Sequence, residues 1–213
     1  MHWRRHGLIV VLVLVALIAG AAALYREQDE EQTQDAGRAN AARLMGELMS
    51  GSTPIGGPFT LEDQYGRKTS LSDFRGTVVL LYFGYAFCPD VCPPDLAAMA
   101  ELVRTLGDRG NAVQPIFVTL DPQRDTAEVL RSYAGAFHPR LIALRGSEQD
   151  VRRVATDYKV FYEQVRLRAS STYVIDHMAF IFVLDREGKY VAFFPPGTSA
   201  QRMKPVVLEM LER

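Results

Sequence analysis

Two cysteines separated by three residues lie near the middle of the chain, and they are the only cysteines in 213 residues. They are Cys88 and Cys92, in the segment YFGYAFCPDVCPPDL. A thiolate is both the nucleophile of disulfide exchange and the form of cysteine that binds metal. The pair can therefore be a structural disulfide, a redox pair or two metal ligands. A disulfide across so short a loop constrains the unfolded chain little, which disfavours a purely structural bond.

A third candidate ligand lies far along the chain. The chain has four histidines, of which His2 and His6 flank an apolar N-terminal run and His138 precedes a proline in a predicted surface loop. Only His177 lies at the start of a predicted core strand, Ala179 to Leu184, which could bring it to the cysteines. On spacing alone, a hydrogen-bonded polar residue at a strand terminus is the simpler interpretation of His177.

If Cys88, Cys92 and His177 converge, they form a soft ligand set with few members. Structural zinc normally has four protein ligands, and His138 is the only further histidine or cysteine after the N-terminal run. Thiolates suit Cu(I), and a set of thiolates and imidazole can also hold Cu(II). Asp176 is a candidate to orient the His177 ring by a hydrogen bond. Met178 is a candidate weak ligand, although a packing role is the simpler interpretation.

The elements around the cysteines predict an α/β fold. After a leading hairpin, strands and helices alternate in the order β-α-β-α-β-α-β-β-α, which indicates a central sheet with flanking helices. The cysteines follow an apolar run, Thr77 to Tyr82, and precede a predicted helix, so they lie where ligands bind in such sheets. The other predicted elements are a hairpin over 59–71, helices over 95–106, 126–136, 147–158 and 199–211, strands over 115–120, 141–144 and 179–184, and a strand over 190–194 that pairs with 179–184.

The N-terminal part of the sequence predicts a membrane anchor. No charged residue lies between Gly7 and Tyr25, a run long enough to cross a bilayer. Arg4 and Arg5 precede the run, which predicts a cytoplasmic N-terminus and an exported remainder. We interpret residues 1–25 as the anchor, 26–55 as a flexible tether and 56–213 as the folded domain; a cleaved signal peptide is the alternative. With 24 basic and 25 acidic residues, the chain lacks the basic balance of a nucleic-acid-binding protein.

Three segments together resemble one known family. They are FGYAFCPDVCPPDL around the cysteines, DPQRDT at Asp121 to Thr126, and YVIDHMAFIFVLD at Tyr173 to Asp185. They resemble the Sco/SenC family of membrane-anchored, thioredoxin-like copper proteins that assist cytochrome c oxidase assembly. The resemblance implies a thioredoxin-like fold and one copper ion, Cu(I) or Cu(II), bound by Cys88, Cys92 and His177. The DPQRDT segment is also interpreted as a strand-to-helix turn in which Asp125 or Thr126 caps the next helix.

Two functions remain open on the sequence. The first is a copper metallochaperone that delivers its ion to the dinuclear copper site of an oxidase subunit. The second is a thiol–disulfide reductase that uses the Cys88–Cys92 pair to keep that subunit's cysteines reduced, so enzyme activity is undecided. Thioredoxin-like reductases place a cis-proline opposite the cysteines, whereas this sequence has Ile175-Asp176-His177 there. A peroxidase-like enzyme is a weaker alternative, because no arginine lies between Arg75 and Arg104 to activate a thiol.

The resemblance also implies a location and partners. We expect the folded domain in a bacterial periplasm, since no transit segment rich in arginine and serine precedes the apolar run. The expected partners are the copper-site subunit of the oxidase, an upstream periplasmic copper donor and a thioredoxin-like reductant. The cysteine pair is expected to cycle through a Cys88–Cys92 disulfide, and this cycle would couple copper release to oxidation.

Overall fold

The structure is a computed structural model that describes residues 2–51, 53–166 and 172–212. The chain forms two compact units, Met1–Arg43 and Leu44–Arg213. The first unit consists of helix α1, which spans His2–Ser50 and continues into the second unit. All other elements belong to the second unit.

The sequence predicts a flexible tether over 26–55, whereas α1 makes residues 26–50 helical. The segment is rich in Ala, Glu, Gln and Arg, which are strong helix formers, and this propensity explains the difference. The predicted domain start at residue 56 is also later than the start of the packing, because Leu48 is buried in the core of the second unit. Over the part of the chain that is described, no helix is both long enough and apolar enough to cross a membrane.

A seven-stranded mixed sheet forms the centre of the second unit. Its order is β2-β1-β5-β4-β3-β8-β9, and β3, β4 and β5 run parallel. All seven residues of β3 are buried, so both faces of the sheet are covered. Because β3 and β4 pair from Val78↔Val113 to Gly84↔Thr119, their carboxyl ends lie side by side. The strands are β1 (Thr60–Asp63), β2 (Lys68–Ser70), β3 (Val78–Gly84), β4 (Val113–Thr119), β5 (Ile142–Arg145), β8 (Ile181–Leu184) and β9 (Tyr190–Phe194).

Two further strands form a separate antiparallel pair. They are β6 (Tyr162–Arg166) and β7 (Tyr173–His177), and among the described residues they pair only with each other. The sequence predicts no helix or strand between 158 and 179, so this hairpin is a correction. Its residues are mostly half-buried or exposed, and it lacks a continuous apolar run such as those of β3 and β8.

The helices of the second unit are α2 (Cys92–Thr105), α3 (Ala127–Phe137), α4 (Glu148–Asp157) and α5 (Ala200–Glu212). Thr126 and Ser147 cap α3 and α4, since their hydroxyls accept hydrogen bonds from Val129 N–H and Asp150 N–H. The caps, both main-sheet hairpins and the central mixed sheet with flanking helices are confirmed. Helix α2 begins at Cys92, three residues before the predicted start, with prolines in its first turn.

Candidate metal site

The two cysteines lie on the connection between β3 and α2. Strand β3 ends at Gly84, and α2 begins at Cys92. A turn in which Cys88 N–H donates to Tyr85 C=O, at 3.1 Å, folds the connection back on itself. Cys88 is 8% exposed and Cys92 is fully buried. The unpaired N–H groups and partial positive charge at the start of a helix favour thiolates at this position.

A buried carboxylate holds the same connection from the β4 side. Asp125 Oδ2 accepts hydrogen bonds from Ala86 N–H, at 3.0 Å, and from the Thr119 hydroxyl. Burial raises the pKa of Asp125, and these hydrogen bonds oppose that shift. Of the two capping residues that the sequence proposes for α3, Thr126 is the cap, whereas Asp125 holds the cysteine loop.

His177 reaches the cysteines from the last position of β7. The strand predicted for His177 is wrong. His177 does not start the core strand but ends β7, where it pairs with Tyr162 of β6, and β8 begins four residues later. The His177 ring contacts the buried Tyr85 ring edge-on, with 5.9 Å between the centroids. The position of the His177 ring is therefore set by a hairpin that is not part of the main sheet.

The three candidate ligand atoms converge. The ligand atoms of Cys88, Cys92 and His177 all lie within 4.8 Å of one another. Cys92 Sγ lies 3.4 Å from His177 Nε2, and both cysteines are free thiols. Within the described part of the chain no other His, Cys, Asp or Glu joins this group, so His138 is not a fourth ligand. A metal–thiolate bond is about 2.3 Å long in zinc sites, so one ion of similar size fits between the three atoms after small side-chain shifts.

Neither neighbour of His177, Asp176 or Met178, contributes to the ligand group. Asp176 is exposed, because successive strand residues point to opposite faces. His177 Nδ1 is buried and has no hydrogen-bond partner among the described residues, so the structure does not support Asp176 as the group that orients the ring. Met178 Sδ lies 3.4 Å from Phe161 N–H at the base of the hairpin, which agrees with a packing role.

The pKa values of the two thiols are shifted in opposite directions. A hydrogen bond from Cys92 is the largest cause that lowers the pKa of Cys88; burial opposes it, and hydrogen bonds from His177 and from two backbone N–H groups add to it. The pKa of Cys92 is raised, first because it donates to Cys88 and then because it is buried. These shifts favour the thiolate on Cys88 and the proton on Cys92.

This asymmetry predicts an unusual pH dependence of alkylation. The iodoacetamide rate at Cys88 in the metal-free protein should stay nearly flat between pH 8 and pH 6, because its thiolate stays populated above the lowered pKa. An ordinary thiol with a pKa of about 8.5 should lose on the order of 10²-fold over that interval. Mass spectrometry after timed quenching locates the adduct, and glutathione serves as the control. Parallel pH profiles for Cys88 and glutathione would contradict the assignment.

Two buried polar residues near the cysteines, Tyr82 and Asp95, are not predicted from the sequence as part of the site. Burial and the adjacent Cys92 raise the pKa of Tyr82, on β3. Burial likewise raises the pKa of Asp95, on the first turn of α2, and its Oδ1 accepts a hydrogen bond from Gly197 N–H at 2.8 Å. Asp95 thus links the start of α2 to the PPGTS turn at residues 195–199, which precedes α5. In the sequence, Asp95 shares a helix face with the apolar residues Met99 and Leu102. An aspartate on such a face is the signal that could have indicated this buried contact.

Comparison with known proteins places the chain in a family. Residues 48–212 match the family model described as SCO1/SenC. The chain belongs to the SCO1/SenC family. It is 35% identical over 193 residues to an SCO2-like protein of Rickettsia felis, which covers 89% of this chain and 91% of the relative.

Solved structures of the same family share this fold. The crystal structure of Arabidopsis thaliana ScoI with copper bound has a TM-score of 0.69 and 31% identity, and the match covers 74% of this chain and 98% of that chain. Bradyrhizobium japonicum ScoI with copper bound has a TM-score of 0.67 and 34% identity over the same shares. The thioredoxin-like arrangement expected from the sequence, a mixed sheet with flanking helices, is confirmed.

Proposed function

We propose that this chain is a copper metallochaperone that acts in the assembly of cytochrome c oxidase. It holds one copper ion as cargo through Cys88, Cys92 and His177 and passes it to the dinuclear copper site of an oxidase subunit. The observation that carries the proposal is the convergence of two thiol sulfurs and one imidazole nitrogen within 4.8 Å. The copper bound in two related ScoI structures supports the choice of metal.

The donor set suits a protein that releases its metal. Thiolate sulfur and imidazole nitrogen are ligands that copper prefers. A three-ligand site leaves room for an incoming thiolate, so copper can pass to the partner by stepwise ligand exchange. Closed four-ligand sites are typical of structural zinc, and the described residues provide no fourth cysteine or histidine near the group.

The proposal also includes the location of the protein. The uncharged run from Gly7 to Tyr25, preceded by Arg4 and Arg5, supports a single-pass anchor with the copper domain on the periplasmic side. A cleaved signal peptide would export the same domain. In either case the partners are the copper-site subunit of the oxidase, a periplasmic copper donor and a thioredoxin-like reductant for the dithiol.

A thiol–disulfide reductase is the second candidate, and the lowered pKa of Cys88 favours it. The Cys88 thiolate would attack one sulfur of a partner disulfide and expel the other as a thiolate. Cys92, once deprotonated, would then attack Cys88 Sγ in the mixed disulfide, release the second partner thiolate and close the Cys88–Cys92 disulfide. Two electrons pass to the partner. His177 has no necessary part in these steps.

An anaerobic copper titration of the reduced full chain in detergent separates the two functions. We expect one copper per chain, and a loss of affinity of about tenfold or more for each of Cys88→Ser, Cys92→Ser and His177→Ala, because each removes one ligand. Cu(I) competition measures affinity, and the Cu(II) absorption and spin-resonance spectra report the ligands. His138→Ala, outside the group, should bind as the unchanged protein does.

Two results would contradict the metallochaperone. Absence of tight copper binding would remove the function altogether. Binding that needs both cysteines and is unchanged in His177→Ala would remove the three-ligand site. If His177→Ala also retains full dithiol exchange with a model disulfide in either case, the reductase becomes the better account of the chain.

A further inference from the structure

The ligands of the proposed site come from two parts of the fold, and within the described residues no strand pairing connects these two parts. Cys88 and Cys92 lie on the connection that follows β3, in the main sheet, whereas His177 lies on the β6–β7 hairpin. Within the described residues, Ile175 is the only fully buried residue of that hairpin. The distance from the imidazole to the thiols therefore depends on side chains that join the hairpin to the main sheet.

One arginine supplies several of those contacts. Arg124 lies on the turn between β4 and α3, and its Nη1 donates to the C=O of Tyr173, the first residue of β7, at 2.9 Å. Its guanidinium lies 3.7 Å from the centroid of the Tyr173 ring, a cation–π contact. On its other sides it lies 5.5 Å from the Phe87 ring and 5.7 Å from the Tyr85 ring. Phe87 directly precedes Cys88, and Tyr85 contacts His177.

A buried carboxylate fixes the arginine in this position. Asp121, whose side chain is fully buried, accepts from Arg124 Nε through Oδ2. Its Oδ1 accepts from the Tyr173 hydroxyl at 2.8 Å. Asp121, Arg124 and Tyr173 thus form a closed set of contacts. A planar guanidinium can make the Asp121 and Tyr173 hydrogen bonds and the ring contact at once, whereas a lysine ammonium cannot.

The same turn also holds the cysteine side of the site. Asp125, the next residue, accepts from Ala86 N–H and the Thr119 hydroxyl. Two adjacent residues of the DPQRDT segment therefore contact the two parts of the site separately. Asp125 binds the connection that carries the cysteines, and Arg124 binds β7, which carries His177. Thr126 accounts for the helix cap, so capping leaves these two contacts unexplained.

The geometry points to Arg124 as a positioning residue that sets where His177 stands relative to Cys88 and Cys92. It touches none of the three ligands and acts through Tyr173, Tyr85 and Phe87. This inference rests on the proposed copper site for its effect on metal, but its effect on the β6–β7 hairpin is independent of copper.

The test compares Arg124→Lys with a matched control, Arg140→Lys. Arg140 is also a half-buried arginine that donates to backbone carbonyls, those of Gly110, Asn111 and Val113. It precedes β5, and its partners lie at the amino end of β4, the end of the strand opposite to Arg124. Both variants lose a guanidinium fork and keep the charge. The full chain is used, and Tyr173→Phe, which removes only the hydroxyl bonded to Asp121, is a milder second variant if Arg124→Lys does not fold.

The first readout is amide hydrogen exchange in the copper-free protein. In Arg124→Lys the amides of β7 should exchange about tenfold faster or more, because local opening of the hairpin costs less free energy. Tyr173→Phe should give a smaller acceleration of the same amides. Arg140→Lys should accelerate exchange near Gly110 and leave β7 unchanged. Unchanged β7 exchange in both Arg124→Lys and Tyr173→Phe would overturn the inference.

The second readout is copper. Arg124→Lys should weaken Cu(I) binding about tenfold, as loss of a residue that orients a ligand does, and should alter the nitrogen hyperfine pattern of bound Cu(II). Arg140→Lys should retain the affinity and the spectrum even if its melting temperature falls equally. If Arg124→Lys behaves as Arg140→Lys does, the role is structural only and the inference fails. If the unchanged protein binds no copper, the proposed function fails, and hydrogen exchange still decides the role of Arg124.

Discussion

Replacing Gly84 by alanine is expected to destabilise the fold and weaken copper binding together. A Cβ at this position would lie 2.7 Å from Cys92 Sγ, 3.0 Å from Tyr82 Cε1 and 3.1 Å from Phe117 Cε2. All four residues are buried, so the added methyl group has no free space. Overpacking of this kind costs about 1–3 kcal/mol of unfolding free energy. The shortest approach is to a proposed ligand atom, and displacing that sulfur should also cost about tenfold or more in Cu(I) affinity.

Gly135→Ala is the matched control. Gly135 lies exposed in the last turn of α3, and a Cβ there would meet nothing within 4 Å. The substitution should raise the unfolding free energy by roughly 0.5–1 kcal/mol, because alanine favours the helix, and should leave copper binding unchanged. Urea denaturation and Cu(I) competition measure the two quantities. If Gly84→Ala is as stable as the unchanged protein and binds copper equally well, the packing of Gly84 against Cys92 is not what fixes that sulfur.

The parts of the fold that the sequence predicts are those whose signals are local. Thr77 to Tyr82 and Pro115 to Leu120 are largely apolar runs, which indicate strands buried on both faces. Thr126 and Ser147 cap their helices because a hydroxyl and the backbone three residues later are close in any helix start. Such signals need no knowledge of distant residues, and they were sufficient for the mixed sheet, its hairpins and the position of the cysteines at its carboxyl edge.

The β6–β7 hairpin lacks such a signal. Tyr162 to Arg166 alternates weakly, and its residues are half-buried or exposed, so polar side chains mask the strand. Six residues separate its end from the start of its partner, Tyr173 to His177, and the pairing of the two strands is not encoded locally. The sequence therefore predicts His177 as a site residue but assigns it to the wrong strand.

The contacts that position the ligands are the least predictable part of the site. Arg124 and Tyr173 are 49 residues apart, and neither the charge nor the ring indicates the other in a single sequence. The sequence leaves Asp125 and Thr126 as alternative caps of α3, because carboxylates and hydroxyls both cap helix starts. Asp125 instead accepts a hydrogen bond from Ala86 N–H, which joins two separate connections. Local pattern identifies which residues can do chemistry, and packing decides which residues hold them in place.

Oxidation of the cysteine pair is expected to remove copper binding almost completely. Both sulfurs must be available as thiolates to bind the ion, and both are free in the structure and within 4.8 Å of each other and of His177 Nε2. Treating the copper-free protein with diamide converts the two thiols to the Cys88–Cys92 disulfide and reduces diamide to the hydrazine by two electrons and two protons. His177 alone then remains, and one imidazole is a weak site for Cu(I).

The expected loss of Cu(I) affinity on oxidation is about a thousandfold or more, and dithiothreitol should restore binding in full. Mass measurement after alkylation of free thiols verifies the state of the pair. Cys88→Ser, which cannot form the intramolecular disulfide, controls for other effects of diamide, and its weaker residual binding should survive the same treatment, with any mixed disulfide at Cys92 excluded by mass. Tight Cu(I) binding by the fully oxidised chain would show that the ion does not use both sulfurs. A loss that dithiothreitol reverses would mean that the same two atoms bind the cargo and respond to redox state, so a partner that oxidises the pair would also release its copper.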